Sequence, residues 1–228
     1  MKRSIALAMA VVTGIGVAAI GQLSISSNSE ATMNKVVNSH SLVQADKSSE
    51  DYKSYSALLG ENYDKAFIAN MIVHHQGAVD MAKLALKYAS HNQIKALSLA
   101  ILATQSTEIS EMTAWGTKWG YNKTGGQKMK GNNAKSMAGT NAMMMSSLRG
   151  KVGVAFDQAF LTEMIGHHQS AINMATPGLK NAQHAEVKKL AKAIIIAQSK
   201  EIKQMKQWQS AWGLTSSAMS DSMPGMNR

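Results

Sequence analysis

The chain has 228 residues, of which 45% are hydrophobic, and this is enough for one full hydrophobic core or two small ones. It contains no Cys and 17 Met, which excludes a disulfide framework and every thiolate metal site. The formal net charge is +10, but the basic residues are spread along the predicted helices instead of forming one run. This spread is typical of a solvated, weakly basic surface and does not favour nucleic acid as a partner.

The N-terminus has the pattern of a secretory signal. Two basic residues precede an apolar run over residues 5–20, and a polar stretch begins at Gln22. We therefore predict a signal peptide over residues 1–22, a flexible segment over residues 23–55, and a mature protein that is periplasmic or secreted. The alternative is an uncleaved membrane anchor, because the apolar run is only slightly shorter than a membrane span of about 17–25 residues.

An internal repeat organises the rest of the chain. Residues 64–120 align without a gap on residues 157–213, and 27 of the 57 aligned positions are identical. Self-similarity at a fixed offset, here 93 residues, indicates a duplicated structural unit.

Each copy has apolar residues at helical spacing in two stretches separated by a short polar break, which predicts a helical hairpin. We expect the first hairpin over residues 56–120 and the second over residues 154–213, and together they form an all-α four-helix bundle. Asn62 or Asp64 is expected to cap the first helix. Pro177 predicts a kink or an early end in the third helix.

The connection between the hairpins, residues 121–153, is rich in Gly, Asn, Lys and Ser, which predicts a flexible linker. The C-terminal residues 214–228 are predicted to form a disordered tail. Both segments are rich in methionines, which are either low-affinity capture sites for a metal ion or part of a biased coil. These possible additional ligands are Met143, Met144 and Met145 in the linker and Met219, Met223 and Met226 in the tail.

The main candidates for metal binding lie in the sequence M-I-x-H-H-Q-x-A-x-x-M-A, which occurs at residues 71–82 and again at residues 164–175. At about 100° per residue, its two Met and two His fall within an arc of roughly 120° of the helix. Met71 and His75 can therefore share one ion. His74 and His75 diverge by about 100° and are not expected to chelate one metal together.

The second helix of each hairpin adds a Glu and a Met four residues apart, Glu108 and Met112 in the first copy. Glu108 and its duplicate Glu201 are interpreted as orienting a histidine or pairing with a lysine. The predicted ligands are Met71, His74, His75, Met81 and Met112 in the first copy and Met164, His167, His168, Met174 and Met205 in the second.

Neutral thioether sulfur together with imidazole nitrogen favours copper(I), for which silver(I) is a mimic. Zinc prefers thiolate, imidazole or carboxylate, and calcium or magnesium requires oxygen ligands. A single Met or His on an apolar stripe is usually a core residue, but four soft donors on one arc favour a metal site. His91 and His184, at the hairpin corners, are open to ligation or to local hydrogen bonding. The tryptophan pairs of each second helix are interpreted as packing, with a tryptophan face over a cuprous ion as the alternative.

Through the duplicated histidine–methionine segment the chain resembles a bacterial helical-bundle family first catalogued as a domain of unknown function. The resemblance covers about residues 55–215, and the signal segment, two repeats and Met-rich connections look like the exported copper-binding type within that family. It implies a ferritin-like four-helix fold, binding of cuprous and silver ions through the ten residues named above, and a role in copper resistance.

These observations predict an exported copper(I) chaperone or sequestering protein without catalytic activity, which passes its ion to a copper efflux system or sensor. One alternative is a ferritin-like metal oxidase, although the Glu-x-x-His spacing of di-iron sites is missing. The other is a basic module that binds anionic envelope polymers or membranes.

Overall fold

The computed structural model describes residues 42–121 and 133–214, which are all-α, with no β-strand in those two ranges. The predicted all-α class is confirmed. The predicted signal peptide and the tail methionines Met219, Met223 and Met226 lie outside the described residues. The helices of the described ranges are α1 (Glu50–Ser56), α2 (Glu61–Tyr88), α3 (Asn92–Lys118), α4 (Asn133–Leu148), α5 (Gly153–Asn181) and α6 (Ala185–Ala211).

The two repeats form two helical hairpins, α2 with α3 and α5 with α6, and α2 packs against α5 at the centre of a helical bundle. The backbone N–H of Gly60, before α2, donates to the carbonyl of Asn181 at the end of α5, at 2.7 Å. Ala89, after α2, forms a backbone bridge with Gly153 at the start of α5. The central helices are therefore antiparallel. No helix of the described ranges combines the length and apolar character that a membrane crossing needs.

Each hairpin corner is held by a buried aspartate of the other repeat. The Asp64 carboxylate accepts from the backbone N–H groups of Gln183 and His184, at 3.1 and 2.9 Å, and Asp157 accepts in the same way from Ser90 and His91. The predicted capping of α2 by Asn62 or Asp64 is wrong, because the N-cap is Gly60, at φ +57°. Asp64 points to the opposite hairpin instead.

Pro177 does not end α5, which continues to Asn181. Proline removes one helical hydrogen bond, but the adjoining turn is stabilised from outside: the Tyr63 hydroxyl donates to the carbonyl of Met174 at 2.8 Å. The Tyr63 ring occupies the space that a side chain at position 178 would need, and Gly178 leaves it free. The predicted early end is therefore wrong.

Two predicted flexible segments contain packed helices. Within residues 121–153, α4 packs against α2, where the Asn141 amide donates to the carbonyl of Val73 at 2.8 Å. Within residues 23–55, α1 packs against α5 and buries Tyr55, whose hydroxyl accepts from Asn70. The predictions of flexibility are wrong for these helices, because specific tertiary contacts outweigh a polar composition.

The apolar core consists of two clusters. The first core cluster contains Phe67, Met71, Met112, Met174 and Ile194 among others, around the start of α2 and the end of α5. The second core cluster contains Met81, Phe160, Leu161, Met164 and Met205, around the end of α2 and the start of α5. The motif histidines lie between these clusters along both central helices.

Candidate metal centre

The four motif histidines form a buried polar layer in the middle of the bundle. His75 and His168 are fully buried, and His74 and His167 are exposed by only 3% and 1%. Four imidazoles inside an apolar core are costly unless their polar atoms have partners, so their hydrogen bonds decide what this layer is able to do.

One histidine of each pair is held by a glutamate of its own hairpin. Nε2 of His75 lies 2.7 Å from Oε2 of Glu108, and Nε2 of His168 lies 2.6 Å from Oε2 of Glu201. The interpretation of these glutamates as histidine-orienting residues is confirmed. A carboxylate accepts only, so Nε2 carries a proton and donates it, and Nδ1 is the ring nitrogen that faces no acceptor. Neither Nδ1 has a hydrogen-bond partner in the described part of the chain.

The other two histidines contact each other across the α2–α5 interface. The ring centroids of His74 and His167 are 3.6 Å apart, and Nε2 of His167 lies 2.9 Å from the backbone carbonyl of His74. Nδ1 of His167 and both ring nitrogens of His74 have no hydrogen-bond partner in residues 42–121 and 133–214. Burial lowers the pKa of both rings well below the ordinary value for histidine, and the neighbouring imidazoles lower it further. Both rings are therefore neutral at pH 7, as metal ligation requires.

The consecutive histidines of each motif do not stack on each other. The centroids of His74 and His75 are 6.1 Å apart with the ring planes inclined by 56°, and those of His167 and His168 are 6.2 Å apart with an inclination of 55°. That consecutive histidines do not chelate one metal ion together stays a prediction.

The structure separates the two methionines of each motif and combines methionines from both repeats. Met71 and Met112 lie in the first core cluster with Met174 of the other repeat, and Met164 and Met205 lie in the second core cluster with Met81. All six are at most 1% exposed. Each cluster thus contains three of the six predicted methionine ligands. Within the described residues there is no group of three or more His, Asp or Glu side chains placed to hold a metal ion, so the soft donors distinguish this centre.

His91 and His184 lie at the hairpin corners, where each forms local contacts. Their Nδ1 atoms contact the carboxylates of Asp157 and Asp64, and their rings stack on Trp212 and Trp119 with centroids 3.7 Å apart. The structure thus shows the local hydrogen bonding that the sequence left open. It also shows Trp212 packing against the His91 ring and Trp119 packing against the His184 ring.

Sequence reasoning missed residues on the added helices α1 and α4. Met137 is buried in the first core cluster, and Met144 packs against the second together with Met145, whereas Met143 is 68% exposed. Asp51 of α1 lies near the histidine layer and accepts from the Ser170 hydroxyl at 2.6 Å. Met144 is among the possible additional ligands predicted from the sequence, whereas Met137 and Asp51 were missed. The only signal for Met137 was its spacing of seven residues, two helical turns, from Met144, inside a segment whose composition argued against a helix.

Comparisons with known proteins agree with this architecture. Residues 64–209 match the family described as "Domain of unknown function (DUF305)". The structure is similar to CopM in its Cu(I)-bound form, at 37% identity and a TM-score of 0.54, over 65% of this chain and 96% of that one. CopM has also been solved with Cu(II), with silver and in the apo form.

Two further DUF305 proteins share the fold. One is a fragment from Deinococcus radiodurans, at 26% identity and a TM-score of 0.53, over 65% of this chain and 96% of that one. The other, from Streptomyces coelicolor, has 23% identity and a TM-score of 0.57, over 66% of this chain and 94% of that one, and it shows the fold alone. No curated protein sequence matches the chain. The chain therefore belongs to the DUF305 family of helical-bundle proteins, and it is of the CopM type.

Proposed function

We propose that this protein is an exported copper(I)-binding protein that accepts silver(I) as a mimic and acts as a chaperone or sequestering protein without catalysis. One observation supports the proposal: each of four buried histidines has a ring nitrogen without a hydrogen-bond partner among the described residues, on helices that also carry buried methionines. The similarity to CopM, solved with Cu(I) and with silver, supports the same ion.

In this proposal the ligands form two equivalent sets. The first set is His75 with Met71 and Met112, completed by the neighbouring His74 or by Met174. The second is His168 with Met164 and Met205, completed by His167 or by Met81. In each set a glutamate fixes the proton on Nε2 and leaves Nδ1 as the ligand atom, an arrangement that raises the basicity of a histidine ligand.

The chemistry of the donors explains the choice of ion. Thioethers are uncharged, so a monovalent ion buried with them leaves a single positive charge, which Glu108 or Glu201 offsets through the imidazole. Soft sulfur donors favour Cu(I) and Ag(I) over calcium, magnesium or zinc. Thioethers also need no deprotonation, and His74 and His167 are neutral at pH 7, so these donors release little proton on binding.

Localisation and partners belong to the same proposal. The basic and then apolar start of the chain supports export to the periplasm or the exterior, where a protein without Cys cannot lose its ligands to disulfides. An efflux system or a copper sensor would receive the ion by ligand exchange.

The proposal is tested by anaerobic titration of the full reduced chain with Cu(I) against a chromogenic chelator. The variant Met71→Leu with Met164→Leu removes one thioether from each set at nearly constant volume, and we expect weaker binding in both sets. Met143→Leu, at the exposed methionine of α4, is the matched control and should bind like the wild type. Failure of the wild type to compete with a weak chelator would overturn the proposal. Oxygen uptake on adding Cu(I) would favour the oxidase alternative.

A further inference from the structure

A cavity leads from the outside of the bundle to the histidine layer between the two added helices. Its volume is about 250 Å³, and its walls come from α1, α2, α4 and α5. The residues that carry the argument are Asp51 of α1, His74 of α2, Met137 and Met144 of α4, and Gly166 and His167 of α5. The two ligand sets proposed above share His74 and His167 with this cavity but use neither Met137 nor Met144.

The floor of the cavity contains unsatisfied ligand atoms. Three buried ring nitrogens have no hydrogen-bond partner in the described ranges: Nδ1 and Nε2 of His74, and Nδ1 of His167. Buried polar atoms are normally paired, so these nitrogens point to a ligand that the cavity admits. Asp51, on the wall, adds a carboxylate that favours a cation.

The helix α4 forms the cavity wall opposite the histidines, and it is held there by a hydrogen bond. The Asn141 amide donates to the carbonyl of Val73, one residue before His74, and Gly77 provides the space for the Asn141 side chain. Met137 and Met144, two turns apart on α4, both line the cavity. Two thioethers thus face two neutral imidazoles across a space large enough for an ion.

The same two methionines also connect the cavity with both halves of the core. Met137 belongs to the first core cluster, with Met71 and Met112. Met144 packs against the second core cluster, which contains Met164 and Met205. The cavity is the place from which a soft ion reaches either ligand set by exchange between neighbouring sulfur atoms.

We propose that Met137, Met144 and the ring nitrogens of His74 form a third soft-metal site, at which Cu(I) or Ag(I) enters the protein before it passes to the two buried ligand sets. The inference rests on the proposed function, because it requires those sets to bind the same ions. It assigns a binding role to α4, a helix outside the duplicated unit.

The test uses silver(I), which has no competing redox chemistry, added to the full reduced chain labelled with 13C in its methionine methyl groups. The methyl resonances of Met137 and Met144 should shift on silver binding. The variant Met137→Leu with Met144→Leu should lose one equivalent of bound silver and load the remaining sites about tenfold more slowly. Met145→Leu, on the same helix but outside the cavity wall, is the matched control and should match the wild type.

A second variant keeps every donor. A side-chain carbon added at Gly166 meets no atom within 4 Å, and the first repeat has Val73 at the equivalent position. Gly166→Val should therefore fold normally, narrow the cavity and lose the same equivalent of silver. Unshifted Met137 and Met144 resonances, with silver bound at Met71 and Met164, would overturn the third site and leave the proposed function intact. If no methionine resonance of the wild type responds, the proposed function fails as well.

Discussion

The two hairpins differ two residues after the histidine pair, where the first has Gly77 and the second has Ser170. The missing side chain at position 77 makes room for Asn141 of α4, whereas the Ser170 hydroxyl donates to Asp51 of α1. The first repeat is thus covered by α4, from the segment between the repeats, and the second repeat by α1, from the segment before them. The duplicated unit thus has the same buried histidines and methionines in both copies, while the outer surface of each copy contacts a different added helix.

The hairpin corners show the opposite behaviour, because they are reciprocal. Asp64 of the first repeat binds the corner of the second, and Asp157 of the second binds the corner of the first. The same stacked tryptophan and histidine accompany both contacts. The corner contacts between the copies are symmetric, whereas the contacts with the added segments differ between the copies.

The largest effect is expected from breaking this reciprocity. Asp64→Ala and Asp157→Ala each leave two backbone N–H groups and an imidazole without their buried acceptor, so each should destabilise the protein by about 2–4 kcal/mol. Urea unfolding measures the loss in the free energy of unfolding, provided that the m value is unchanged. Asp80→Ala, in an exposed ion pair with Lys83, is the control and should cost less than about 1 kcal/mol. A large difference between Asp64→Ala and Asp157→Ala would contradict the symmetry.

The histidine layer should make the metal-free protein sensitive to acid. The pKa values of His74 and His167 are lowered in the folded state, so below a pH of about 6.5 the unfolded chain binds more protons than the folded chain. Stability is therefore complete above that pH and decreases as the pH falls below it, by roughly 1 kcal/mol per pH unit for each histidine.

Unfolding free energies at pH 7.5, 6.5 and 5.5 measure this dependence. His74→Gln or His167→Gln removes one of the two groups and should reduce the slope by about half. Since the two rings lie against each other, with centroids 3.6 Å apart, the two variants should behave alike. A stability that stays constant or increases between pH 6.5 and 5.5 would contradict the buried, neutral state.

The duplication made the hairpins and the ligand types predictable, because a repeat of 57 residues with helical spacing leaves few alternatives. The orientation of His75 by Glu108 also followed from residue types. The grouping of Met174 with Met71 did not, because it depends on the antiparallel pairing of α2 and α5. The helix α4 was missed because its Gly, Asn and Ser composition favours a loop. Its docking depends on tertiary contacts, among them the hydrogen bond between Asn141 and the first repeat.

The smallest effect is predicted for the contact between Asn141 and the first repeat. Changing it should alter amide exchange in α4 but hardly alter the free energy of unfolding. Gly77→Ala gains up to about 1 kcal/mol of helix propensity. The new methyl group collides with Asn141, whose bond to Val73 is worth a similar amount. Total stability should therefore change by less than about 1 kcal/mol, while amide exchange in α4 becomes faster. Gly166→Ala, in the second repeat and in open space, should gain stability without changing exchange in α4. If the amide hydrogens of α4 exchange at the same rate in both variants, Gly77 does not position this helix. Its position over the cavity would then depend on its methionines alone.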